Sequence, residues 1–102
     1  MVKIRKGGRV MTADEMFKEQ GFRPDPFNGV GNIFKYFYEI KYNSNARFIV
    51  EFDCNDDGDY MYYYQVKDPL NNNVILEKQV RVSVDLHKAI TKQMEELGWL
   101  WK

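Results

Sequence analysis

Apolar residues recur at steps of three and four near the C-terminal end of the chain, while polar side chains occupy the other positions. This spacing is typical of an amphipathic helix that rests on a core. Ser83 is a favourable N-cap, and Gly98 supplies the left-handed residue with which helices often end. The pattern predicts a helix within residues 83–101, with Trp99 folding back on Met94. Its apolar stripe is Leu86, Ala89, Ile90, Met94, Leu97 and Trp101.

A second, shorter helix is predicted near the N-terminal end. Thr12 and Glu15 are spaced as a capping box, in which each side chain accepts a hydrogen bond from the backbone N–H of the other. Gly21 repeats the termination signal of Gly98 and ends the helix. The residues that share its apolar face are Ala13, Met16 and Phe17.

Four segments between the two helices have the composition and alternation of β-strands. They are Ile33 to Tyr42, Arg47 to Asp53, Tyr60 to Lys67 and Val74 to Val82. Their connections are the short polar stretches Asn43-Ser44-Asn45, Asn55-Asp56-Asp57-Gly58, and Asp68-Pro69 with Asn71 to Asn73. Short connections favour antiparallel hairpins. Residues 23–31, with two prolines and two glycines, are predicted to be an irregular crossing from helix to sheet.

The predicted fold is therefore α+β. It is a four-stranded antiparallel β-meander flanked by an N-terminal and a C-terminal helix packed on one face, in the order α-β-β-β-β-α. Residues 11–102 form this single domain, and residues 1–10 form a flexible basic arm.

Alternation along the strands separates two faces of the predicted sheet. The more apolar face, which the helices are expected to cover, comprises Phe34, Tyr36, Tyr38, Ile40, Phe48, Val50, Phe52, Tyr60, Tyr62, Tyr64 and Val66. The other face combines Phe37, Ile49, Met61 and Tyr63 with Lys35, Glu39, Lys41, Arg47, Glu51 and Gln65. An open apolar patch within a charged rim often marks an interface, so this face is the predicted interaction surface.

Charge is unevenly distributed, although the 102-residue chain has a formal net charge of zero. The arm holds Lys3, Arg5, Lys6 and Arg9 without an acid, which leaves 11 basic and 15 acidic side chains in the remaining 92 residues. No apolar run approaches the roughly 20 residues that span a bilayer, and no signal-peptide pattern is present. The sequence therefore predicts a cytoplasmic protein that does not use a membrane.

The run from Asp53 to Gly58 matches the first six positions of a calcium-binding EF-hand loop, with Asp53, Asn55 and Asp57 as candidate ligands. The match fails at its twelfth position, where Tyr64 stands in place of the bidentate Glu, and strands rather than helices flank the loop. A hairpin turn is the prediction here, and no metal or other cofactor is expected.

Acidic residues cluster around this hairpin without a basic residue among them, so its tip is predicted to be a knob that contacts a basic partner. They are Glu51, Asp53, Asp56, Asp57 and Asp59. Cys54 and His87 are the only residues of their kinds. Because nothing in the sequence brings these two together, no catalytic residue is predicted.

The two capped helices and the tyrosine-rich middle resemble those of small uncharacterised proteins encoded by bacteriophages and prophages of Gram-positive bacteria. The residues that carry this resemblance are Met11 to Phe17, Gly21-Phe22, Leu86, Ala89-Ile90, Gln93 and Glu96 to Trp99. The resemblance implies a helix–sheet–helix domain in a phage context and assigns no functional residue.

These observations favour a non-enzymatic accessory protein that acts by protein–protein interaction, with a host or phage protein as its partner. A second copy of the chain is an alternative partner, because the mixed sheet face would also support a homodimer. The alternative function is nucleic-acid binding, in which Lys3, Arg5, Lys6 and Arg9 bind phosphates and the sheet face stacks bases.

Binding of a labelled single-stranded oligonucleotide at increasing salt tests the nucleic-acid alternative. Four phosphate contacts predict a slope of log K against log salt of roughly −3. Deletion of residues 1–10 should abolish both the binding and its salt dependence. An unchanged slope after the deletion would show that the arm does not hold the phosphates.

Overall fold

The computed structural model describes residues 10–40, 43–55 and 58–99, without the side chains of residues 43 and 44. The described chain is α+β, with a five-stranded antiparallel sheet between two helices in sequence order. The elements are α1 (Ala13–Glu19), β1 (Arg23–Pro24), β2 (Ile33–Ile40), β3 (Asn43–Asp53), β4 (Asp59–Lys67), β5 (Val74–Gln79) and α2 (Val84–Glu96). They form two compact units, one containing both helices and the other spanning Phe22–Arg81.

The sheet has five strands rather than the predicted four, in the order β1-β2-β3-β4-β5. The additional strand is β1, in which Arg23 pairs with Phe37 and Pro24 with Tyr36. Proline donates no hydrogen bond, so it is accepted at the edge of a sheet. A two-residue edge strand that contains proline has no alternation of its own, which explains why the sequence predicted an irregular crossing here.

Two predicted strand boundaries also require correction. Residues 43–45, predicted as a turn, lie in β3, which begins at Asn43. The β2–β3 register shifts between Glu39 and Ile40, where Ile40 pairs with Asn43, and alternation along a single strand does not indicate such a shift. At the other end of the sheet, β5 stops at Gln79 instead of continuing to Val82. The N–H of Val80 still donates to the carbonyl of Tyr62 at 3.3 Å.

Both helices begin at the predicted caps. The Thr12 hydroxyl accepts the N–H of Glu15 at 3.2 Å, and the Glu15 carboxylate accepts the N–H of Thr12 at 3.0 Å. The N–H of Leu86 donates to Ser83 Oγ at 3.1 Å. These bonds satisfy amides that have no partner inside the helix.

Helix α2 ends in the predicted Schellman motif. Gly98 has a φ of +80°, in the left-handed region where an added Cβ is unfavourable. The N–H of Trp99 donates to the carbonyl of Met94, and the N–H of Gly98 donates to the carbonyl of Glu95, both at 3.0 Å. Neither described helix has the length and apolar composition that crossing a bilayer requires.

Two side chains connect the helices at opposite ends. Glu96 Oε2 accepts the N–H of Ala13 at 2.8 Å, which places a carboxylate at the N-terminus of α1. Gln20 Nε2 donates to the carbonyl of Asp85 at 3.0 Å. The buried residues of the helices are Ala13, Met16 and Phe17 in α1, and Leu86, Ala89, Ile90 and Gln93 in α2.

One sheet face, here called the aromatic face, carries rings from successive strands. Phe48 of β3 contacts Tyr64 of β4 with ring centroids 5.2 Å apart, and Phe22 lies 5.6 Å from Tyr38. Tilted and edge-on rings at these separations are favourable. The large, fully buried residues on this face are Tyr36, Val50 and Phe52.

Replacing Ser83 with Ala is expected to lower the free energy of unfolding by about 1 kcal/mol, because the N–H of Leu86 loses its acceptor. Ser83→Asn restores a side-chain oxygen and should recover most of the loss. Urea denaturation followed by circular dichroism measures both. Equal stability of Ser83→Ala and the wild type would contradict a stabilising cap.

Candidate interaction face

The opposite face of the sheet, here called the mixed face, contains a three-by-three array of side chains from β2, β3 and β4. Directly opposite residues in antiparallel strands share a face, and neighbouring strands lie about 4.8 Å apart. The three rows are Lys35–Glu51–Met61, Phe37–Ile49–Tyr63 and Glu39–Arg47–Gln65. An apolar row thus lies between two rows that carry charge.

The structure brings together most of the residues predicted to form the interaction surface. Six of these candidates belong to the array, namely Lys35, Phe37, Arg47, Ile49, Met61 and Tyr63. Asp59 is exposed at the start of β4. The other candidates lie outside the described residues: Lys41, Asp56, Asp57 and the arm residues Lys3, Arg5, Lys6 and Arg9.

The predicted apolar patch is less open than the sequence indicated. Ile49 is 3% exposed and Tyr63 is 6% exposed, whereas Met61 is 42% exposed. Ile49 lies in the centre of the array, with Phe37 and Tyr63 directly opposite it on the two neighbouring strands. Large cross-strand neighbours cover an apolar residue, and alternation along a single strand does not reveal them. Met61 is therefore the most accessible apolar side chain of the array.

The charged groups of the array are matched to neighbours. Lys35 Nζ lies 3.8 Å from Glu51 Oε1, and Arg47 Cζ lies 5.0 Å from the centre of the Phe37 ring. Arg23 of β1 forms an ion pair with Glu39. A guanidinium over an aromatic ring is held by the electron density of the ring. The array thus presents cationic groups in defined positions.

Tyr63 is the buried polar residue of the array, and its hydroxyl donates to Glu51 Oε1 at 2.9 Å. Burial raises the pKa of Tyr63, and the hydrogen bond to Glu51 and the charges of Glu51 and Glu77 raise it further. The hydroxyl therefore stays protonated and fixes the carboxylate that also faces Lys35.

A cleft beside the array was missed by the sequence analysis. Phe27 and Val30 are 74% and 76% exposed on the loop between β1 and β2, although they are large apolar residues. The cleft has a volume of about 310 Å³ and is lined by Asp25, Phe27, Val30, Gly31, Asn32, Ile33 and Lys35. Ile33 and Lys35 share the mixed face, so the cleft and the array adjoin. Apolar residues within a Pro/Gly-rich loop were the sequence signal for it.

This loop is fixed to β2 by hydrogen bonds. Asn28 Nδ2 donates to the carbonyl of Lys35 at 2.9 Å, and the N–H of Lys35 donates to Asn28 Oδ1 at 2.8 Å. The N–H of Asp25 also donates to the carbonyl of Lys35, and the N–H of Phe27 donates to Asp25 Oδ1. The side chain of Asn28 thus pairs with the strand as a neighbouring backbone would.

The far end of the mixed face is acidic. Asp53 and Asp59 lie directly opposite each other at the ends of β3 and β4. Asp53 Oδ1 accepts the N–H of Asn55, which forms a turn. Asp57, the third residue of the calcium candidate, lies outside the described residues, and within them no group of three or more His, Cys, Asp or Glu is placed to hold a metal.

The single cysteine and the single histidine lie in different segments of the chain. Cys54 follows β3, and burial together with the charge of Asp53 raises the pKa of its thiol. A raised pKa reduces the fraction of nucleophilic thiolate at neutral pH. His87 is exposed on the first turn of α2.

No protein-family model, curated protein or solved structure matches the chain.

Alkaline pH should destabilise the protein through Tyr63. The pKa of Tyr63 in the folded chain is raised above its value of about 10 in the unfolded chain. Its contribution to the free energy of unfolding is therefore present below about pH 10 and is lost as pH rises through the folded pKa. The free energy of unfolding should fall with a slope up to about 1.4 kcal/mol per pH unit steeper than in Tyr63→Phe.

Urea denaturation between pH 9 and pH 11 measures the two slopes. The Tyr63→Phe variant keeps Tyr62, whose pKa is also raised by burial, so it isolates the contribution of Tyr63. Parallel slopes would show that Tyr63 titrates no differently in the folded and unfolded chains.

Proposed function

We propose that this protein acts by binding another protein through the mixed face and the adjoining cleft, without catalysing a reaction. The observation that carries the proposal is the convergence of accessible Met61, the Arg47–Phe37 pair and the exposed loop residues Phe27 and Val30 on one side of the sheet unit. Aromatic residues, Met and Arg are enriched at protein interfaces.

The arrangement of the side chains supports a binding role. Arg47 is placed over Phe37, and Lys35 beside Glu51, before any partner arrives. Groups ordered in advance lose less conformational entropy when a complex forms. The loop that carries Phe27 is likewise held by the bonds of Asp25 and Asn28 to Lys35.

The resemblance to small phage and prophage proteins supplies the setting for this proposal. In that setting the protein is a cytoplasmic accessory factor, and its partner is a host or phage protein. A second copy of the chain is the alternative occupant of the mixed face. Measuring the molar mass over a range of concentrations distinguishes a homodimer from a complex with a foreign partner.

Replacing Met61 with Asp should reduce partner retention at least about tenfold, because a charge would be buried where the partner contacts the array. The matched control is Leu76→Asp. Leu76 is 46% exposed, similar to Met61 at 42%, but its register places it on the aromatic-face side. Both variants carry the same added charge.

The measurement is quantitative mass spectrometry of proteins retained by the tagged chain from a host extract treated with nuclease. The wild type and Leu76→Asp should retain the same protein in similar amounts, and Met61→Asp should lose it. Circular dichroism confirms that each variant is folded. Equal retention by the wild type and Met61→Asp, or retention of nothing after nuclease treatment, would contradict the proposal.

A further inference from the structure

Resting on the proposed function, we infer that the partner presents an extended segment in which an apolar side chain is followed, two residues later, by Lys or Arg. The apolar side chain enters the cleft lined by Phe27 and Val30. The basic side chain lies between Asp53 and Asp59.

The apolar part of the site is the cleft. Phe27 and Val30 are about three-quarters exposed, and Ile33 adds a third apolar side chain to a lining that also includes Asp25, Asn32 and Lys35. The volume of about 310 Å³ is at the lower end of the range for ligand pockets and exceeds the size of one large side chain. Filling it would remove apolar surface from water on a loop that is already fixed in place.

The acidic part is the pair formed by Asp53 and Asp59. Like charges directly opposite each other across two strands are destabilising. In the described part of the chain neither carboxylate forms an ion pair with a basic side chain. A cationic side chain placed between them would relieve the repulsion. We therefore expect the partner segment to carry a basic residue at this position.

The register connects the two parts. Ile33, Asp53 and Asp59 lie in one row across β2, β3 and β4, and Ile33 also lines the cleft. With strands about 4.8 Å apart, the midpoint between the two carboxylate-bearing positions lies roughly 7 Å from Ile33. An extended peptide advances about 3.3 Å per residue and points alternate side chains the same way. Two side chains that are two residues apart in an extended peptide are therefore separated by about the distance from Ile33 to this midpoint.

Binding of short peptides to the full chain, followed by NMR chemical-shift changes, tests the inference. The probe is the heptapeptide Gly-Ser-Phe-Ser-Arg-Ser-Gly. Two matched peptides replace its Arg by Glu or its Phe by Ala. The probe should shift the amides of the cleft loop and of Asp53 and Asp59. Each replacement should weaken binding, and the Glu peptide should bind at least about fivefold more weakly.

Variants of the protein locate the site. Asp59→Asn should weaken binding of the probe peptide about threefold or more and reduce the dependence of that binding on salt. Val30→Asp should weaken binding of the probe peptide as well. Glu19→Gln, which removes an exposed carboxylate from α1, is the matched control and should leave binding unchanged.

Equal binding of the Arg and Glu peptides, absence of shifts at millimolar probe, or shifts confined to other residues would overturn the inference. These outcomes are separable from failure of the proposed function. If Met61→Asp loses the partner while the peptides do not discriminate, the mixed face binds a protein of different chemistry.

Discussion

The register among β2, β3 and β4 is the constraint on which the rest of the sheet unit depends. Side chains alternate between faces with a period of two, so a slip of one residue would exchange the two faces. The pairing of Tyr36 with Val50 places these buried residues on the aromatic face. Ring contacts such as Phe48 with Tyr64 would be lost after a slip, and they therefore favour the observed register. The composition of the mixed face follows from a register that the opposite face helps to specify.

The sequence was sufficient to predict those features whose stabilising contacts are local. The bonds of Thr12 with Glu15, of Ser83 with Leu86 and of Trp99 with Met94 each span five residues or fewer. Short patterns therefore predicted the helix starts and the end of α2. Alternation likewise placed the nine array residues on one face, because a strand period of two needs no knowledge of the neighbouring strand.

Other features depend on contacts that the local pattern does not contain. Strand β1 exists through its pairing with Phe37 and Tyr36, and the cleft depends on the two bonds between Asn28 and the backbone of Lys35. The burial of Ile49 is set by side chains from several strands. In each case the residue that determines the structure lies several positions away or in another strand. Composition and alternation alone therefore predicted a loop where β1 and the cleft lie, and an open patch around Ile49.

The mixed face contains two kinds of charge, and they have different consequences for binding. Lys35 and Glu51 already face each other, so a partner that engages either must disturb an existing interaction. Asp53 and Asp59 oppose each other instead, and a cation placed between them removes a repulsion while adding an attraction. The matched charges therefore fix the shape of the face and contribute little selectivity. Selectivity for the charge of a partner should arise at the acidic end, next to the cleft that supplies apolar area.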